Sequence, residues 1–170
     1  DIEAVMDIPK TSILNSKAEV LVISAHPSLL AGSGISGVVH KAAGPKLEQY
    51  TKPLGPLKPG QAVITPAFNL NAKYIVHTVC PRYMDGQRGE AEQLASAYIS
   101  ALAFYNQVPD AKSIAFVSMG TGVYKWPLAL AADIAIGELL KSKFDQTFLC
   151  VMDEKTKVAY QSARERLSVN

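Results

Sequence analysis

The chain has 170 residues, of which 48% are hydrophobic and 19% charged, and its formal net charge is +2. This composition excludes a disordered chain, and the length suits one domain, residues 1–170, with a sizeable core. A charge of +2 gives no argument for nucleic-acid binding by itself. No apolar run reaches the roughly 20 residues that cross a bilayer, and the acidic start is unlike a secretory signal. We therefore expect a cytoplasmic protein without membrane contact.

The order of the predicted elements indicates an α/β fold. Alternating apolar residues predict an edge strand from Ile2 to Ile8, which Pro9 ends. Strands and helices then alternate, which favours a three-layer α/β/α sandwich with a mixed, mostly parallel central sheet. The further predicted strands are 20–24, 62–66, 74–80, 113–118 and 148–152, and the predicted helices are 37–50 with a break at Gly44-Pro45, 89–105, 127–140 and 156–167.

The cysteines and two of the histidines favour structural roles. Cys80 and Cys150 stand in separate apolar runs, which favours two buried thiols over a disulfide or a metal site. His40 on a helix and His77 in a buried strand have no cysteine or acidic residue at metal-ligand spacing. We therefore expect no metal.

A glycine-rich loop follows the predicted strand 20–24. Gly32, Gly34 and Gly37 accept positive φ and carry no Cβ, so several backbone N–H groups can face one anion, which we expect to be a phosphate or pyrophosphate. Their spacing matches neither common phosphate-loop pattern. A glycine turn without a ligand stays an alternative at this point, because glycine also serves tight packing.

A second glycine loop repeats this arrangement at residues 119–127. It contains Gly120 and Gly122, follows a predicted strand and precedes a predicted helix. Ligands of parallel sheets bind beyond the carboxyl ends of the strands. Two such loops at one sheet edge predict a phosphate site in two parts, with aromatic walls from Tyr124 and Trp126.

Three stretches resemble the macro domain, a family that binds ADP-ribose. Residues 22–44 read V-I-S-A-H-P-S-L-L-A-G-S-G-I-S-G-V-V-H-K-A-A-G and are similar, without a gap, to the family's V-N-A-A-N-S-x-L-x-G-G-G-G-V-D-G-A-I-H-x-A-A-G. Residues 60–70 resemble G-x-A-x-x-T-x-G-x-x-L, and residues 120–127 resemble S-T-G-x-[FY]-G-x-P. The resemblance spans nearly the whole chain. It implies a macro domain-like sandwich with ADP-ribose as its ligand and no cofactor.

The resemblance also implies contacts with the ligand. Asp7, followed by Ile8, would accept a hydrogen bond from the adenine amino group, which suits a carboxylate acceptor. Met152 stands where an aromatic residue often stacks on adenine, and it offers a polarisable apolar face. Backbone N–H groups would do most of the anion binding. The loop residues expected at the ligand are Ser24, Ala25, His26, Ala31, Gly32, Ser33, Gly34, Ile35 and Ser36 in the first loop, and Gly120, Thr121, Gly122, Val123 and Tyr124 in the second.

This chain departs from the family where hydrolysis would take place. Members that cleave ADP-ribosyl bonds or related esters typically use an asparagine and an aspartate around the distal ribose, and the matching positions hold His26 and Ser36. The usual water-activating carboxylate is therefore missing. His26 could act as the general base, because an imidazole is an able base close to neutral pH, or could contact the ribose. Lys125 stands where glycine is usual, and could contact the diphosphate or point into solvent.

Three functions stay open from the sequence. The first is binding of ADP-ribose or of a mono-ADP-ribosylated protein, and the second is hydrolysis of ADP-ribosyl bonds or processing of ADP-ribose derivatives. The third is binding of RNA or polyadenylate, supported only by a pI near 8.5 and by scattered lysines. Such scatter favours a solvated surface. These lysines include Lys41, Lys46, Lys52 and Lys58.

Overall fold

The computed structural model describes residues 4–122 and 124–168. Its strands are β1 (Val5–Asp7), β2 (Val20–Ser24), β3 (Ala62–Pro66), β4 (Tyr74–Thr78), β5 (Ser113–Val117) and β6 (Gln146–Cys150). Its α-helices are α1 (Gly34–Ala43), α2 (Pro45–Thr51), α3 (Glu90–Leu102), α4 (Leu128–Leu139) and α5 (Glu154–Ser168), and short 3-10 helices cover Ile13–Asn15, Lys52–Leu54 and Ala103–Gln107.

The strands form one sheet in the order β1-β6-β5-β2-β4-β3. Four neighbouring pairs are parallel, and β3 alone runs antiparallel, against β4. The carboxyl ends of β1, β6, β5, β2 and β4 therefore meet at one edge of the sheet. The expected mixed, mostly parallel sheet is confirmed.

Both faces of the sheet are buried, which gives the expected three layers. Val20 and Val22 of β2 pack with α3, α4 and α5, whereas Leu21 and Ile23 pack with α1 and α2. Successive side chains of a strand point to opposite faces, so a continuous apolar run is what a sheet covered on both sides requires. Within the described residues, no helix has the length and apolar character to span a membrane.

Several predicted boundaries shift for identifiable reasons. Helix α1 begins at Gly34, three residues earlier than predicted, because Ser33 is the extended residue that precedes it. Helix α2 begins at Pro45 as expected, after Gly44 with φ 95°. Strand β6 covers 146–150 instead of 148–152, because its polar first residues still pair with β5 in register. Of the predicted first strand, 5–7 is extended, and Ile2 lies outside the described residues.

Candidate ligand-binding site

A cleft of about 560 Å³ opens at the carboxyl edge of the parallel strands. This volume lies within the roughly 300–1,000 Å³ of small-molecule sites. Both predicted loops and Met152 contribute to its walls. The predicted residues that line it are Ser24, Ala25, His26, Ser33, Gly34, Ile35, Ser36, Gly120, Thr121, Gly122, Tyr124 and Met152.

Helix α1 begins at this cleft without a side-chain cap. Ser33, which precedes the helix, makes no capping hydrogen bond, and Gly34, Ile35 and Ser36 of the first turn line the cleft. The first N–H groups of a helix have no partner within the helix and form the positive end of its dipole. The start of α1 is therefore suited to a bound anion.

Helix α5 also begins at the cleft, but a carboxylate caps it. Asp153 Oδ1 accepts the N–H of Thr156 at 2.7 Å, and both residues line the cleft. This backbone hydrogen bond lowers the pKa of Asp153. Asp153 is also the one carboxylate among the described residues that line the cleft. Of the two helix starts, α1 is thus the one left open for an anion.

The second loop packs on Trp126 rather than presenting it to the cleft. A Cβ on Gly120 would lie 2.5 Å from Trp126 Cδ1, so only glycine allows this packing. Trp126 is buried, and its Nε1 donates to Pro81 O at 2.9 Å. The prediction of a Trp126 wall is therefore wrong, because the indole forms part of the core, whereas Tyr124 does line the cleft.

His26 lies exposed in the cleft with one ring nitrogen engaged. The Ser28 N–H donates to His26 Nδ1 at 3.1 Å, and Ser28 Oγ lies 2.7 Å from the same nitrogen. Because Nδ1 accepts, the neutral ring carries its proton on Nε2. In this tautomer His26 offers the ligand a hydrogen-bond donor, which favours a ribose or phosphate contact over the removal of a proton.

Ser36 presents an unpaired hydroxyl at the same end of the cleft. Its side chain is only 4% exposed, and its Oγ has no hydrogen-bond partner among the described residues. A buried polar group without a partner is unfavourable by about 1–3 kcal/mol. A ligand oxygen in the cleft would satisfy it.

Two further predicted residues of the first loop do not line the cleft. Ala31 and Gly32 line a second cavity of about 290 Å³, together with His40. Gly37 is helical, and a Cβ on it would meet Gly32 O at 2.5 Å. The expectation that Gly37 supplies positive φ is therefore wrong, because it allows α1 to approach the loop. Gly32 and Gly34 do have positive φ, 62° and 66°.

Two predicted contacts, Asp7 and Ile8, do not line the cleft. Asp7 ends the edge strand β1 and is exposed, with its Oδ1 3.9 Å from Arg164 Nη1. Ile8 is buried in the core. Neither lines the cleft, so the adenine contact of Asp7 stays a prediction. Val123 lies outside the described residues.

Sequence reasoning missed several residues that line the cleft. Val117, Ser118 and Cys150 stand where β5 and β6 end, so the rule that parallel sheets bind ligands at this edge could have found them. Burial raises the pKa of Cys150 to about 11, so its thiol stays protonated at neutral pH. The missed residues are Thr11, Ile13, Val117, Ser118, Cys150, Asp153 and Thr156.

Comparison with known proteins identifies the family. The Macro domain model matches residues 22–135. A protein of Fusobacterium nucleatum is 42% identical over 157 residues, which cover 89% of each chain. An O-acetyl-ADP-ribose deacetylase of Citrobacter rodentium is 38% identical over 154 residues, covering 84% of this chain and 85% of the relative.

Solved structures agree with this match. A variant of the Oceanobacillus iheyensis macrodomain with ADPR superposes with a TM-score of 0.89 at 28% identity, covering 100% of this chain and 97% of the other. The macrodomain of the same organism with ADP gives 0.87 at 31% identity, covering 95% and 90%. The resemblance noted from the sequence is thereby confirmed, and this chain belongs to the macro domain family.

Proposed function

We propose that the cleft binds ADP-ribose, either free or attached to a protein. The observation that carries this proposal is the uncapped start of α1, whose N–H groups share one cleft with the second glycine loop. A diphosphate between them would receive backbone N–H groups from two sides. The similar macrodomain structures with ADPR and with ADP support the same ligand.

The order of the strands gives the bound nucleotide a direction. Met152 follows β6 and lies 74% exposed at the lip of the cleft, where its thioether offers an apolar face to adenine. His26 follows β2, on the other side of β5. The diphosphate would then lie near the second loop, and the distal ribose near His26 and Ser36.

Binding without turnover fits the cleft better than hydrolysis. Asp153 is the one described carboxylate in the lining, it caps α5, and it stands at the Met152 end. Ser36 replaces the family's carboxylate near the distal ribose, and His26 Nδ1 already accepts a hydrogen bond. The distal end therefore has donors for the ribose but no carboxylate to activate water.

Hydrolysis of an ADP-ribose derivative is the second candidate. It is favoured by the relative from Citrobacter rodentium named O-acetyl-ADP-ribose deacetylase. In this case His26 would act as the base, after its ring adopts the other tautomer. Binding of RNA in this cleft has no such support, because no lysine or arginine is among its described lining residues.

Calorimetry and a turnover assay separate these functions. ADP-ribose should bind with one site per chain, and ribose 5-phosphate should bind more weakly because it lacks the adenosine and one phosphate. No heat at saturating ADP-ribose would overturn the proposal. Release of ADP-ribose from a mono-ADP-ribosylated protein, or of acetate from O-acetyl-ADP-ribose, would favour the enzyme. Turnover that survives His26→Ala unchanged would exclude His26 as the base.

A further inference from the structure

The segment 81–89 borders the end of the cleft opposite Met152. It follows β4, which lies beyond β2 on the side away from β5 and β6. The Tyr83 N–H donates to Tyr124 O at 3.1 Å, and the Tyr83 and Trp126 rings lie 5.1 Å apart. Tyr124 is a wall of the cleft. Whatever is attached to the distal ribose would therefore leave the cleft beside this segment.

A buried carboxylate holds this segment in one conformation. Glu90 Oε2 accepts the N–H groups of Met84, Asp85 and Gly86 at 2.9, 3.0 and 3.0 Å, and Oε1 accepts that of Arg88 at 2.7 Å. Burial by itself would raise the pKa of Glu90, but the four N–H groups outweigh it and lower the pKa to about 2. The segment thus presents exposed side chains from an ordered backbone.

Three of the six exposed side chains of segment 81–89 and Lys125 are cationic. Arg82 and Lys125 are exposed, and no carboxylate of the described residues lies within 4.0 Å of either. Arg88 pairs with Asp85 at 3.3 Å. Within segment 81–89 and Lys125, three cations therefore stand against one exposed carboxylate, and two of the cations have no carboxylate partner among the described residues.

Lys125 occupies its position in an unfavourable backbone conformation. Its φ is 59°, in the left-handed region that glycine adopts freely and other residues adopt with strain. Glycine at this position would relieve the strain but would remove the positive charge next to Tyr124. Backbone strain of this kind clusters at binding sites, where the side chain has a functional role.

We propose that residues 81–89 and Lys125, which we call the distal rim, read the protein that carries the ADP-ribose and favour acidic residues next to the modified side chain. The distal rim rests on the proposed function, because the adenine must lie at the Met152 end for the attached protein to leave beside Tyr124. Its unpaired cations would contact flanking aspartate or glutamate side chains. Free ADP-ribose would not reach these cations.

The first test compares two mono-ADP-ribosylated peptides that differ only in flanking residues, acidic in one and basic in the other. The acidic peptide should bind about three- to tenfold more tightly at low salt, as two exposed ion pairs would give. The difference should disappear at about 1 M salt, where the screening length is roughly 3 Å. Free ADP-ribose that fails to bind would overturn the proposed function itself. Free ADP-ribose that binds, with equal affinities for the two peptides, would overturn the distal rim alone.

Charge variants test the residues. Arg82→Glu should reduce or reverse the preference for the acidic peptide and leave the affinity for free ADP-ribose unchanged. Lys143→Glu is the matched control, because Lys143 is exposed and precedes β6, at the opposite edge of the sheet. An equal loss of preference in both variants would reveal an effect of net charge and overturn the role of Arg82.

Lys125→Gly separates function from structure. It should raise the melting temperature, because it removes the strain at φ 59°, and should lower the preference for the acidic peptide. If Lys125→Gly lowers the affinity for free ADP-ribose as much as the affinity for the acidic peptide, Lys125 contacts the diphosphate and does not belong to the distal rim.

Discussion

The Tyr160 hydroxyl of α5 lies 2.8 Å from Ser118 Oγ, where β5 ends and the second loop begins. Ser118 Oγ in turn lies 3.0 Å from Thr121 Oγ1, and both Ser118 and Thr121 line the cleft. Burial raises the pKa of Tyr160 to about 12, so its hydroxyl stays neutral. A helix in the core thus orients a hydroxyl of the ligand-binding loop.

Tyr160→Phe should weaken ADP-ribose binding although Tyr160 does not line the cleft. Without the hydroxyl, Ser118 loses one hydrogen-bond partner and keeps only Thr121, so its orientation in the loop is less fixed. Both the free energy of unfolding and the binding free energy should fall by about 1 kcal/mol. Calorimetry and chemical denaturation measure the two quantities.

Thr147→Val is the control for this prediction. Thr147 is buried and donates to Ser142 Oγ at 2.7 Å, near the opposite edge of the sheet. The Thr147→Val variant should have a lower free energy of unfolding but an unchanged affinity for ADP-ribose. Unchanged affinity in Tyr160→Phe would show that the hydroxyl only stabilises the fold.

Two glycine substitutions should separate binding from folding. A Cβ on Gly122 would meet no protein atom within 4 Å, so Gly122→Ala should leave the melting temperature nearly unchanged. Gly122→Ala should weaken the binding of ADP-ribose by about 1–3 kcal/mol, because the added methyl group occupies space that the ligand needs. Gly37→Ala should instead destabilise the fold by about 1–3 kcal/mol, since its Cβ would meet Gly32 O at 2.5 Å. Equal melting temperatures for the two variants would contradict this assignment.

Ser36→Ala should affect stability and binding in opposite directions. Because Ser36 Oγ is buried without a partner, its removal should raise the free energy of unfolding by up to about 1 kcal/mol. It should lower the affinity for ADP-ribose by about 1 kcal/mol, because the ligand loses that hydroxyl. Ser100→Ala is the control: Ser100 Oγ donates to Gly60 O at 2.8 Å, so its loss should destabilise the fold without affecting binding. A stabilised Ser36→Ala that keeps full affinity would exclude a ligand contact.

Stability should fall as the pH drops below about 6.5. Burial lowers the pKa of His77 to about 3 and also lowers the pKa of His40. The unfolded chain therefore binds protons between about pH 6.5 and pH 3 that the folded chain does not, at about 1.4 kcal/mol per pH unit for His77. His77→Gln keeps a polar group near Thr65 and does not titrate. Between pH 7 and pH 5, the free energy of unfolding should fall less in His77→Gln than in the wild type, as chemical denaturation can measure. An equal fall in both proteins would show that another group takes up the proton.

Asp7→Ala tests the adenine contact that the resemblance implies. We expect ADP-ribose binding to weaken by about 1–3 kcal/mol, the range of a hydrogen bond to a charged group. Ribose 5-phosphate lacks adenine, so its affinity should not change. Equal affinities of wild type and variant for ADP-ribose would confine Asp7 to the exposed edge where the structure places it.

Local sequence determined the elements and the two loops. The apolar run 20–24 became β2 as predicted, because residues that alternate between two buried faces must all be apolar. The break at Gly44-Pro45 followed from the backbone preferences of these two residues. The resemblance then predicted most of the described residues that line the cleft.

Contacts between distant segments decided the rest. Trp126 became a core residue through Gly120 and Pro81, and Asp153 became a helix cap, although both stand beside predicted ligand contacts. Thr11 reaches the cleft because the adjacent Lys10 forms an isolated bridge with Val151, which directly follows β6. The periodicity of apolar residues indicates which face of a helix or strand is buried. The residues that pack against that face depend on the order of the strands in the sheet, and no local sequence pattern encodes that order.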